Sequence, residues 1–233
     1  MLLYRPVTQG HASTDFLADG GAGTYPNGHP ALTADPDEML TMLERLDDCQ
    51  PGPGSRAAVS RLSDYEGHVM PGLLQTEAYA RAVIRGLLPE QSDEDIERRV
   101  EVRLRRQQVL VQMQAVRLWA ILDEGVLWRE VGGVAVQRAQ LRHLVAAGRS
   151  PNITVQVLPF SAGAHVGMSG SFRVMEFAEP DPPLIYTENA GGGLFLDGEA
   201  DAQRYRASFQ RLAAQALSPD DTMAMMGEAA QTA

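Results

Sequence analysis

"RLWAILDEGVLWREVGGVAVQRAQLRHLVAAGRSPNITVQVLP", residues 117–159, sets two apolar runs on either side of an amphipathic one. The outer runs, "RLWAILDEGVLW" and "NITVQVLP", are bounded by turn residues and read as buried strands. Between them, "VAVQRAQLRHLVAAG" has helical spacing, and Gly148 stands where a C-cap belongs. Strand, helix and strand at these lengths make a βαβ unit. The two strands should therefore be parallel and the crossover right-handed.

Toward the C-terminus, "GSFRVMEF" (170–177) alternates and reads as a half-buried strand. "PLIYTE" (183–188) and "GGLFLDG" (192–198) add two more. The helix "ADAQRYRASFQRLAAQAL" (200–217) presents Tyr205, Phe209, Leu212 and Ala216 on one side. On the N-terminal side, "SDEDIERRVEVRLRRQQVLVQM" (92–113) is expected to be the longest helix, with an apolar stripe of Ile96, Val100, Leu104 and Val111. Asp93 to Asp95 place negative charge at its positive end. Residues 76–87 form another helix, with Thr76 as N-cap and Tyr79, Val83 and Ile84 facing inward. Before it, Met70-Pro71-Gly72 is a turn that delivers Leu73 and Leu74 to the core. The fold class is α+β with an α/β-like core: a mixed sheet of about five strands, one βαβ unit, and helices packed on it.

The first quarter is different. Residues 1–34 are rich in Gly, Thr, Ala and Pro and hold no period, so they read as an irregular arm. One short helix, "PDEMLTMLERLDD" (36–48), is followed by "CQPGPGS", a Pro/Gly linker. The expected organisation is an arm over 1–56, one compact domain over 57–224, and a tail over 225–233.

Composition narrows the function. The chain has 233 residues, is 44% hydrophobic and carries a formal net charge of −10. A protein this acidic is not expected to hold nucleic acid over a broad face, because phosphate contacts depend on Lys and Arg. Every one of its 20 basic residues is arginine, the mark of an arginine-favouring codon bias. The single cysteine, Cys49, excludes an intramolecular disulfide framework. The five histidines form no HxxxH or HxH pair. No apolar run approaches the roughly 18 residues of a membrane span, and no secretion signal is apparent, so a cytoplasmic protein is expected.

Several blocks carry a resemblance: "MPGLLQTEAYARAV", "VRLRRQQVL", "ILDEGVLWREVGG", "QLRHLVAAGRSPNITVQVLPFSAGAHVGMSGSFRVMEF", "IYTEN" and "YRASFQRLAAQALSPDDT". In this order the chain resembles the C-terminal domain of unknown function 5753 of actinobacterial antitoxin-like XRE-type transcriptional regulators. The likeness covers about residues 58–224. It implies a domain that senses a signal or engages a small partner protein, normally behind a helix-turn-helix. A head of that type needs about five short helices. Residues 1–56 supply one, so the DNA-reading module is expected to be missing.

Candidate site residues follow from spacing. Arg98, Arg99, Arg103, Arg105 and Arg106 crowd the long helix; most read as a solvated face, while Arg103 and Gln107 lie near the apolar stripe and point inward. Glu124 ends the first strand of the βαβ unit, where ligands collect in such sheets, and Arg129 follows. His165 sits in the loop "SAGAHVGMSGSF", and Tyr186 and Glu188 close another strand. The ligand-binding set is therefore Arg103, Gln107, Glu124, Arg129, His165, Tyr186 and Glu188. The leading function is a non-catalytic sensor or interaction module for a small molecule or small partner protein, without cofactor or metal, and open to homodimer formation. The rival is a cofactor-free cyclase or isomerase using Glu124, His165, Tyr186 and Glu188 for acid–base chemistry. For Glu124 the plainer reading is that it pairs with Arg129 or caps backbone amides.

Overall fold

A computed structural model describes residues 59–177, 182–189 and 192–232. The expected arm, the helix over 36–48, the linker with Cys49 and the missing DNA-reading head all lie outside the described residues. So does the start of the domain at residue 57.

Six strands form one mixed sheet: β1 (Val59–Glu66), β2 (Arg117–Asp123), β3 (Ile153–Leu158), β4 (Phe172–Phe177), β5 (Leu184–Asn189) and β6 (Gly192–Leu196), in the order β3-β2-β1-β4-β5-β6. β2 and β3 are parallel neighbours, and α3 (Gly125–Trp128) and α4 (Val134–Ala147) lie between them in sequence. β1 and β2 are parallel as well, separated by α1 (Glu77–Leu87) and α2 (Asp93–Arg106). The second crossover was not expected, because β1 was not recognised as a strand. The remaining pairings, β1 with β4, β4 with β5 and β5 with β6, are antiparallel.

Alternation sorts the side chains onto two faces. On the front face, Leu62, Leu118, Leu122, Val155, Val157 and Met175 meet Tyr79 and Val83 of α1, Leu141 and Leu144 of α4, and Met226, Ala229 and Ala230 of α6 (Pro219–Thr232). Leu122, Leu141 and Leu144 are fully buried, each such burial contributing about 1.5–3 kcal/mol. On the back, Tyr65, Ile121, Phe172, Val174 and Ile185 pack on Phe209 and Leu212 of α5 (Glu199–Gln215). α2 stands on α1 through Ile84, Ile96 and Val100.

Helix ends differ from expectation in three places. α2 stops at Arg106 and tightens into a 3-10 turn over Gln107–Leu110, so the 17-residue α5 is the longest helix among the described residues. The turn coincides with the Gln107 side chain donating to the carbonyls of Gln75 (2.6 Å) and Gly72 (3.3 Å). "EGVLW" does not extend β2: Asp123 Oδ1 accepts from Gly125 N at 2.9 Å, which turns the chain into α3. The segment expected as a tail over 225–233 continues α6 through 225–232, to Thr232. Ser218 caps its start by accepting from Asp221 N at 3.1 Å, and Met226 is fully buried.

The turn at Met70–Gly72 is held as its chemistry suggests. Thr76 Oγ1 accepts from Tyr79 N at 3.4 Å, capping α1. Buried Gln140 of α4 clamps the same turn, accepting from Thr76 N (2.7 Å) and donating to Leu74 O (2.6 Å). No helix among the described residues is long and apolar enough to cross a membrane.

Candidate functional site

Cross-strand register places a polar row in the middle of the front face. Ala120, Asp64, Arg173, Tyr186 and Phe195 stand side by side on β2, β1, β4, β5 and β6. Two residues further along β1, Glu66 faces the same way. Arg173 Nε donates to Asp64 Oδ1 at 2.9 Å, and its Nη2 donates to Glu66 Oε1 at 2.7 Å. Asp64 and Glu66 are buried. The Arg173 guanidinium also lies 5.9 Å from the Tyr186 ring centre, in cation–π range.

Burial sets the protonation chemistry. Glu66 is pushed up to about 7 by desolvation and by the neighbouring Asp64 charge, against the opposing pull of Arg173. Desolvation raises Asp64 too, again with Arg173 pulling down. The Tyr186 phenol is raised by burial and then by the charge of Glu188, to which it also hydrogen bonds. β6 leaves room for that ring: a Cβ on Gly193 would sit 2.6 Å from Tyr186 Cε2.

α2 supplies the second guanidinium. Arg103 is half-buried, and its Nη1 donates to Gln75 Oε1 at 2.9 Å. Gln75 is itself fixed, since its Nε2 donates to Met70 O at 2.6 Å. Burial, then the like charges of Arg173 and Arg106, hold Arg103 down to about 10, while Glu188 and Glu66 pull the other way. Of the other helix arginines, Arg98 and Arg105 face outward, Arg98 pairing with Asp95 at 3.1 Å and Arg105 with Glu101 at 2.7 Å, whereas Arg99 and Arg106 are half-buried. Exposed pairs of this kind contribute about 0–1 kcal/mol.

Arg103, Gln107, Tyr186 and Glu188 thus gather around the front row. The remaining sequence candidates do not join them. Glu124 Oε2 accepts from Phe160 N at 2.7 Å and its Oε1 from Trp128 Nε1 at 3.3 Å, so it ties α3 to the loop after β3. Arg129 is exposed at the end of α3, and its charge is felt at the Tyr79 phenol. His165 meets Asp123 instead of Glu124, with Nε2 3.6 Å from Oδ2, while its Nδ1 is buried without a partner among the described residues. Its ring lies edge-on to Tyr65, 6.1 Å between centres, on the back face. A Cβ on Gly167 of that loop would come within 2.4 Å of the Tyr65 ring, so glycine permits the close packing.

Sequence reading missed Asp64, Glu66, Gln75 and Arg173. The signal available was alternation: "LSDYE" puts Leu62, Asp64 and Glu66 on one side, and "FRVMEF" puts Arg173 with Met175 and Phe177.

The family model for a domain of unknown function (DUF5753) matches residues 56–228. The chain belongs to this family. No curated protein and no solved structure matches it.

Proposed function

We propose that this protein is a non-catalytic sensor or interaction module of regulator type, acting in the cytoplasm, and that its ligand is taken at the front-face charged row. The resemblance to C-terminal domains of XRE-type regulators supports the regulator context. The observation that carries the binding role is the Asp64–Glu66–Arg173 cluster beside Arg103. Buried charges are costly unless paired and hydrogen-bonded. Here they sit at the heart of the sheet, where apolar residues would serve packing better.

Two features weigh against the acid–base enzyme. Both oxygens of Glu124 are occupied by structural donors. β2, which Glu124 follows, stands three strand spacings from β5, which carries Tyr186 and Glu188. That is about 14 Å, too far for these groups to share one reacting atom. The test is native mass spectrometry of the protein incubated with small-molecule extract from its host. A retained molecule, released with unchanged mass and no new product in the extract, is the expected result. A catalytic, time-dependent mass change in the extract would establish the enzyme instead.

A further inference from the structure

Among the described residues, Arg103 at the front row is held by no carboxylate. Among the described residues its single hydrogen bond goes from Nη1 to a neutral amide oxygen, Gln75 Oε1, at 2.9 Å. No acidic oxygen lies within 4.0 Å of it there, whereas Arg173 holds two. The Nε and Nη2 nitrogens form the opposite edge of the guanidinium. Neither nitrogen has an acceptor among the described residues. Two parallel N–H donors on a planar edge match the two oxygens of a carboxylate.

We propose that the free edge of Arg103 is the seat of a small monocarboxylate ligand, bound bidentately beside Tyr186 and Glu188. The inference rests on the reading of the front row as a binding site and names its ligand class. Charge balance selects a single negative charge. The groups that act on Arg103 are Arg106 from its own helix, Arg173 from β4, Glu66 from β1 and Glu188 from β5, with Asp64 behind Arg173. Three arginines and three carboxylates leave no surplus for a dianion such as phosphate at pH 8.

When Glu66 takes a proton the cluster gains one positive charge, which a monoanion balances. The groups facing Glu66 are Asp64, Arg173 and Ser171, with Tyr65, Tyr79, Tyr186 and Arg103 within reach of its charge. Carboxylate binding should therefore be accompanied by proton uptake and should strengthen as pH falls through neutrality.

The test is calorimetric titration of the full chain with acetate, propionate, benzoate and inorganic phosphate at pH 6 and pH 8, each in two buffers of different ionisation enthalpy. Saturable carboxylate binding is expected, several-fold and up to about tenfold tighter at pH 6 than at pH 8, with net proton uptake read from the buffer dependence. Phosphate at pH 8, where it is chiefly a dianion, should bind more weakly than the carboxylates. Arg103→Lys and Arg103→Met should each weaken binding at least tenfold, while Glu66→Gln should remove the pH dependence. A folded Arg103→Lys protein that binds carboxylate as tightly as the parent overturns the proposal. So does the absence of saturable carboxylate binding by the parent at either pH. If that absence accompanies a retained uncharged molecule in the mass spectrum, the ligand class falls and the binding role stands. If nothing is retained either, both fall.

Discussion

Glu66 is a carboxylate placed where the sheet would otherwise carry a leucine, and its proton is the most responsive part of the front row. Its pKa is about 7 in the folded chain against an ordinary value of 4.5. Below about pH 4.5 both folded and unfolded chains hold the proton. Between the two values only the folded chain holds it, so stability falls as pH rises through that window. Above about pH 7 the loss is complete. The parent should therefore lose on the order of 2 kcal/mol between pH 5 and pH 7.5 from this group. Glu66→Gln keeps an oxygen for Arg173 and removes the titration, so chemical denaturation across the same range should show a flatter profile. An unchanged slope would assign the proton elsewhere.

At the scale of elements, α6 shows how much of the fold rests on contacts that local pattern does not announce. Thr222 is fully buried, and its Oγ1 accepts from Val157 N of β3 at 3.0 Å. Thr222→Val preserves shape and strands that amide, which should cost about 1–3 kcal/mol. Thr222→Ser should cost less, because the acceptor remains. Equal losses in urea denaturation would show that the methyl group, not the hydroxyl, holds the helix.

The elements legible in sequence were those with local signatures: the parallel β2 and β3, α1 with its Thr76 cap, α4 closing at Gly148, and the apolar face of α5. β1 escaped because its front side carries Asp64 and Glu66 in place of apolar residues, which erases the alternation expected of a central strand. What makes those carboxylates tolerable is Arg173, 107 residues beyond Glu66. No local window contains both. Of the candidate front row, Arg103 and Gln107 were singled out from their place beside the stripe, and Tyr186 and Glu188 from the end of a strand. His165 and Glu124 shared the same sheet edge in sequence reasoning. Register alone decides that Tyr65, the ring beside His165, faces the back, while Glu66 and Tyr186 face the front. A conflict between local pattern and global position of this kind is expected at functional or strained sites.

At the scale of the whole chain, an acidic protein with a net charge of −10 holds the half-buried Arg103 guanidinium at the front row and pairs the exposed Arg98 and Arg105 with its own carboxylates. Its net negative charge should repel anions over most directions, so an anion taken at the front row must be held by specific contact. The central claim is that ligand enters at the front row and not at the His165 loop. The most direct measurement is an amide-resolved NMR titration with desalted small-molecule extract from the host. Shifts concentrated at Gly72–Gln75, Arg103–Gln107, Arg173 and Tyr186–Glu188 are predicted. Shifts confined to Asp123–Trp128 and Phe160–Ser169 would contradict the account.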